Sequence, residues 1–187
     1  MLASSSPRRA DLLRASGFVF DVAPSDVDER QYPDEAPEAY VSRLAEAKAS
    51  AAAASRRDAV VLGADTAVVV DGIVLGKPSD GADAGRMLRI LSGRSHEVLT
   101  GICLGWRGQR LSHVESSLVR MARLSDAEVD WYIATGEPMG KAGGYAVQGL
   151  AGRFVERIDG SYSNVVGLPV ASVYGLLKLL GCDILGI

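Results

Sequence analysis

The opening stretch Ser4-Ser5-Ser6-Pro7-Arg8-Arg9 crowds hydroxyls and guanidiniums around what reads as the start of a helix. Pro7 is preset for the first helical position, and the Ser6 hydroxyl can cap unpaired backbone N–H groups. A helix N-terminus carries partial positive charge and outward N–H donors, and guanidinium adds a bidentate fork. The natural guest of Ser6, Arg8 and Arg9 is therefore a phosphate. Taken by itself, the run is equally compatible with an exposed basic turn.

Asp65 is the carboxylate that could act on such a guest. It lies among Val61, Leu62, Ala64, Ala67 and Val68, where burial without a partner is costly, so a lysine, a metal ion or a substrate should face it. The alternative is a short polar side chain closing a turn. Lys77, in Gly76-Lys77-Pro78, is either a point charge at a rigid position or a solvated surface lysine. Lys48 belongs to a helix face expected to turn inward, where it either meets an anion or buries its stem and reaches water. His96 enters a strand from a turn, and His113 is the only other histidine. That leaves no histidine metal cluster, and His96 is expected to be structural or a supporting group. Cys103 and Cys182 lack metal-ligand spacing and read as reduced core thiols.

The frame that positions these side chains reads as alternating helices and strands. A helix from Ser6 to about Ala15 stops at Gly17, 18–22 looks like a strand, and 26–37 is a polar loop. A long helix over about 38–56 follows, with Tyr40, Val41, Leu44, Ala47 and Ala51 as its inward stripe and Lys48 at the edge of that stripe. The β-rich run 59–62 ends at Gly63-Ala64-Asp65-Thr66, which puts Asp65 where a buried strand gives way to a turn. Residues 67–70 and 73–75 flank Asp71-Gly72 as a tight hairpin. A helix over 83–91, two strands across Arg107-Gly108 and a helix capped by Ser125-x-x-Glu128 come next. Stretches 143–147 and 154–158 look extended, and an apolar helix over 168–180 closes the chain. The expected class is α/β with a mixed sheet.

The chain has 187 residues, 48% of them hydrophobic and 23% charged, which suits one globular domain over 1–187. A net charge of -3 and a pI near 5.4 argue against affinity that rests on neutralising a nucleic-acid backbone, so any anion site must be local. No apolar run approaches membrane-spanning length, and the short apolar start does not read as a signal peptide; the expected location is the cytoplasm. Neither Gly-x-Gly-x-x-Gly, a Walker loop, a nucleophile elbow nor zinc spacing occurs.

Several segments together resemble the Maf family of nucleotide pyrophosphatases. They are Leu-Ala-Ser-Ser-Ser-Pro-Arg-Arg (2–9), Gly-Ala-Asp-Thr-Ala-Val-Val-Val (63–70), Gly-Lys-Pro (76–78) and Ser-Gly-Arg-Ser-His-Glu-Val-Leu-Thr-Gly (92–101). Lys-Ala-Gly-Gly-Tyr-Ala-Val-Gln-Gly (141–149) and Gly-Ser-Tyr-Ser-Asn-Val-Val-Gly-Leu-Pro (160–169) extend the match in order along nearly the whole chain.

The resemblance implies an enzyme that cleaves a nucleoside triphosphate between its α and β phosphates, using a divalent cation such as Mg²⁺ or Mn²⁺. It also implies a mixed, twisted sheet with flanking helices in two lobes around a cleft, as in ITPase-like folds, and a homodimer. Carried over by position, Ser6, Arg8, Arg9, Lys48 and Lys77 would hold phosphates. Asp65 would be the general base and, with Glu29, a metal ligand. Thr66 and Gln148 resemble the branch associated with dTTP and UTP. A glutamine amide can accept from the pyrimidine N–H while donating to the neighbouring carbonyl. Alternatives are a pyrophosphatase for 7-methyl-GTP or another modified purine, and a non-catalytic nucleotide binder that regulates cell division. Gly140 departs from the family pattern, which usually places an acid before the lysine occupied here by Lys141.

Overall fold

The computed structural model describes residues 1–54 and 58–182. Their elements run β1 (Leu2–Ala3), α1 (Pro7–Ala15), α2 (Pro37–Ala53), β2 (Val61–Val70), β3 (Ile73–Leu75), α3 (Gly81–Leu91), β4 (Ser95–Trp106) and β5 (Gln109–Met121). Then follow α4 (Asp126–Ala134), short 3₁₀ helices at Ala142–Gly144 and Leu150–Phe154, β6 (Val155–Asp159), α5 (Tyr162–Val166) and α6 (Val170–Leu179). Six strands are hydrogen-bonded in the order β1-β2-β4-β5-β6, with β3 also on β2. Parallel β1/β2 and antiparallel β2/β3 and β5/β6 pairs make this the expected mixed sheet flanked by helices.

The chain groups into two compact units. One comprises Met1–Thr66, Thr100–Glu115 and the residues from Gly167 on; the other comprises Ala67–Leu99 and Ser116–Val166. In the first unit Leu2, Leu13, Leu62, Ala64, Ile102, Leu104, Leu168 and Val173 form one apolar cluster. Ala45, Ala49 and Ala52 of α2 form another with Ala3, Val61 and Cys103. Small side chains let α2 lie close on the strands, and Gly63 makes this possible: a β-carbon there would collide with the backbone of Ala45 and Ala49. In the second unit Val68, Leu75, Leu88, Leu91, Val119, Met121, Tyr132 and Phe154 share a core.

Local signals account for most boundaries. The Asp80 side chain accepts from Asp83 N–H at 2.8 Å to start α3, and Ser125 and Glu128 form the expected reciprocal capping box on α4. Asp71 and Gly72 have φ of 52° and 76°, the left-handed pair that a two-residue hairpin turn requires.

Four expectations about the strands and helix faces need correction. Asp65 does not sit at a turn, because β2 runs unbroken from Val61 to Val70 and Asp65 lies inside it. Gly63 is there for the close approach of α2 and does not break the strand. The stretch 18–22 is not a strand: only Val22 bridges Leu2, although Phe18 and Phe20 pack inward and Val19 points fully outward. The stretch 143–147 is not extended at its start, where left-handed Gly143 and Gly144 belong to a 3₁₀ turn and Gly143 N–H donates to Gly76 C=O. The inward stripe of α2 is Val41, Leu44, Ala45, Lys48, Ala49 and Ala52; Ala47 is only partly buried and Ala51 is exposed. The expected end of that helix near Arg56 lies outside the described residues. Among the described residues no helix is long and apolar enough to cross a membrane.

Candidate active site

Along β2, Gly63 and Asp65 share a face because side chains alternate, and that face meets α2. Lys48 stands one helical turn after Leu44 and Ala45 on the buried side of α2, so its ammonium arrives at Asp65. Lys48 Nζ donates to Asp65 Oδ1 and to Glu29 Oε1, both at 2.6 Å. Lys48 and Asp65 are 7% and 8% exposed, so this pairing is inside the protein, while Glu29 closes it from the solvent side. Lys48 therefore lies within the buried face of α2, where sequence reading put it at the edge.

Glu29 sits on the irregular segment before α2, and α2 itself straps that segment down. The Tyr40 hydroxyl donates to Glu29 C=O at 2.9 Å. Arg43 makes a two-pronged pair with Glu35 at 2.6 and 2.7 Å, donates to Arg30 C=O, and stacks over the Tyr32 ring at 4.0 Å. Burial first, then the charges of Asp65 and Glu29, push the Tyr40 phenol up to about 12. It thus remains a hydrogen-bond donor throughout the neutral range.

Three more of the residues expected to hold phosphate lie at the start of α1. Ser6 is its N-cap residue, but its side chain does not cap the helix. The expected capping bond is absent and the hydroxyl is not used for that purpose. Ser4 Oγ instead accepts from Ser6 N–H at 3.2 Å and from Arg9 Nη1 at 3.1 Å. Arg8 is half-buried beside the helix start. Arg9 is 8% exposed and donates through Nε to Gly167 C=O at 2.8 Å and through Nη2 to Thr66 Oγ1 at 3.0 Å. Burial lowers its pKa and the negative charge of Asp65 opposes that effect. Thr66 Oγ1 also lies 2.9 Å from Thr100 Oγ1 and 3.3 Å from Gly167 C=O. Sequence reading missed Ser4, Tyr40, Thr100 and Gly167 as members of this network. The serine run, the Leu-Thr-Gly of 99–101 and the Val-Gly-Leu-Pro of 166–169 were visible, but only folding joins them.

Ser6, Arg8, Arg9, Glu29, Lys48, Asp65 and Thr66 thus fall in the first unit, whereas Lys77 and Gln148, both exposed, belong to the second. His96 is a buried structural residue: its Nε2 is 2.8 Å from the Tyr145 hydroxyl, and burial lowers its pKa to about 4.

Among the described residues no three His, Cys, Asp or Glu side chains converge as a metal cluster. The donors present nevertheless suit Mg²⁺. Asp65 and Glu29 bring two carboxylates to one point on either side of the Lys48 ammonium, and Mg²⁺ is commonly held by one or two carboxylates plus substrate phosphates.

The fold and this cluster define an α/β protein whose architecture is shared with the Ham1 protein of Staphylococcus aureus, at a TM-score of 0.57 over 96% of this chain and 97% of that one. At 13% identity that likeness speaks of fold alone. Residues 1–180 match the Maf-like protein family, and the chain belongs to it. Relatives named dTTP/UTP pyrophosphatase include one from Anaeromyxobacter dehalogenans, 54% identical over 97% of this chain and 93% of its own length. Another, from Syntrophomonas wolfei, is 50% identical over 98% of both chains.

Proposed function

We propose that this protein is a nucleoside triphosphate pyrophosphatase that hydrolyses dTTP and UTP to the monophosphate and pyrophosphate. The observation that carries the reading is the buried clasp in which Lys48 Nζ holds Asp65 and Glu29 at 2.6 Å. A carboxylate kept in a buried strand beside a cation suits the activation of water next to an anionic centre better than it suits stability alone. The names of relatives about half identical along nearly the whole chain support the same reaction and the same bases.

Water must reach a phosphorus already ringed by anionic oxygens, so positive charge has to surround it and a carboxylate has to orient the water or take its proton. Asp65 takes that role on rigid β2. Lys48 fixes Asp65 and presents charge to the phosphates, joined by the N-terminus of α1 with Ser6 and Arg8; the resemblance to the family also assigns Lys77 to phosphate binding. Three of the five guanidinium N–H groups of Arg9 are committed to Gly167, Ser4 and Thr66, so Arg9 combines phosphate binding with bracing of the site. Asp65 and Glu29 would hold a divalent cation, which supplies charge neutralisation on the triphosphate when bound. The resemblance assigns base selection to Thr66 and to Gln148. The resemblance further supports a homodimer working in the cytoplasm, which sedimentation and fractionation would check.

The test is a panel of canonical and modified nucleoside triphosphates with and without Mg²⁺ or Mn²⁺, scored separately for pyrophosphate and orthophosphate. Metal-dependent pyrophosphate release from dTTP and UTP is expected. Release mainly from a purine nucleotide would overturn the base assignment, and no turnover on any nucleotide would overturn the reaction.

A further inference from the structure

The turn that carries Gln148 is held at both ends by one pair of side chains. Residues 146–149 form a four-residue turn closed by Gly149 N–H donating to Ala146 C=O at 3.0 Å, with Gln148 exposed at its third position. At the entrance, Ala146 N–H donates to the Tyr132 hydroxyl at 3.2 Å. At the exit, Leu150 N–H and Ala151 N–H donate to the two oxygens of Glu137, at 3.0 and 3.3 Å. The pair is joined to itself, because the Tyr132 hydroxyl donates to Glu137 Oε1 at 2.8 Å.

This brace is anchored in the core. Tyr132 lies on α4 and is fully buried, with its ring edge-on to Phe154 at 5.9 Å. Glu137 follows three residues after the end of that helix, where its own N–H donates to Thr135 Oγ1. The fit leaves no spare room: a β-carbon on Gly149 would run into the Glu137 carboxylate. Burial alone would raise the Glu137 pKa. The donors from Leu150, Tyr132 and Ala151, with the charge of Lys141, outweigh that and hold it below the usual carboxylate range. The carboxylate is therefore an acceptor at neutral pH.

From these contacts we propose that Glu137, together with Tyr132, is a positioning residue for base selection: it fixes the turn that aims the Gln148 amide. A glutamine discriminates bases only if its carbonyl and amide ends are held in register with the base edge. A turn released at Leu150 and Ala151 lets Gln148 swing, and then any base is read equally badly. This rests on the proposed reading of Gln148 as the residue that meets the base.

Three variants test it: Glu137→Gln, Tyr132→Phe and Gln148→Ala. Glu137→Gln leaves one acceptor where two amides and a hydroxyl need a carboxylate. Its ratio of kcat/KM for the preferred triphosphate over a cytosine or guanine triphosphate should fall by about tenfold or more, mostly through KM, as expected when a positioned polar contact is lost. Tyr132→Phe should move the ratio in the same direction. In combination, Glu137→Gln should add nothing to Gln148→Ala, because both remove one interaction. A wild-type ratio in Glu137→Gln, or losses that add in the double variant, would overturn the proposal. Amide exchange gives a reading independent of turnover. Leu150 and Ala151 should exchange at least about tenfold faster in Glu137→Gln while the β2 amides keep their protection; unchanged exchange also overturns it. Wild-type protein that does not release pyrophosphate from dTTP or UTP would instead sink the proposed substrate, leaving the exchange result to decide the brace.

Discussion

Lys48 and Asp65 are 17 residues apart in sequence, one on a helix and one on a strand, yet Lys48 Nζ lies 2.6 Å from Asp65 Oδ1 inside the protein. The contact depends on Gly63, which lets α2 come close enough for an ammonium to reach a strand carboxylate.

Replacing Asp65 with asparagine keeps the shape of the side chain and removes its basicity. Pyrophosphate release should drop by about 10²–10⁴-fold in kcat, with nucleotide affinity retained. Stopped-time assays paired with nucleotide titration check this; near-normal turnover would take Asp65 out of the mechanism.

Lys48→Met should be harmful in a different way. It leaves Asp65 buried beside Glu29 without its ammonium partner, at a stability cost of about 3 kcal/mol. Combining it with Asp65→Asn should restore part of that loss, because the stranded charge is gone. Urea denaturation of the two single variants and the double variant would show it, and strictly additive losses would mean the pair is not coupled.

Gly63→Ala forces a methyl into the backbone of Ala45 and Ala49. The expected cost is about 1–3 kcal/mol, read as a lower melting temperature, accompanied by lost turnover as α2 and Lys48 move away from Asp65. A variant with unchanged stability would show that α2 can shift at no cost.

How much of this was legible beforehand depended on whether the signal was local. The hairpin at Asp71-Gly72, the capping box at Ser125 and the closing helix follow from short-range chemistry, and the structure has them. The site residues of the first unit were identifiable by type, but their partners were not. Gly63 and Asp65 resemble strand breakers until a helix is known to lie on them. The phase of α2 was lost because Ala45, Ala47, Ala49 and Ala51 are chemically identical, so periodicity alone cannot say which faces inward. The stretch 18–22 does alternate as a strand should, but it meets β1 only at the Leu2 to Val22 bridge, while Phe18 N–H donates to Leu13 C=O and Phe18 and Phe20 pack on the apolar cluster.

His96 gives a pH signature. Unfolded, its imidazole titrates near 6.5; folded, burial brings it down to about 4. Between those values the unfolded chain binds a proton that the folded chain refuses, so stability is intact above pH 6.5 and declines as pH falls toward 4. The decline from this residue amounts to about 3 kcal/mol. Denaturation curves at pH 7 and pH 4.5 should differ less in His96→Gln than in the wild type, and an equal difference would exclude His96 as the source.

β2 lies between two strands of the sheet, β1, which pairs with Leu62 and Gly63, and β4. Segments tied in this way open only when the surrounding fold opens, unlike loops that fray at little cost. Asp65 thus has no partly loosened state of its own: heat or denaturant removes the carboxylate from its place only by dismantling the unit that holds it. Activity lost on heating before that unit opens should therefore trace to site residues outside the strands, such as Glu29 on its irregular segment.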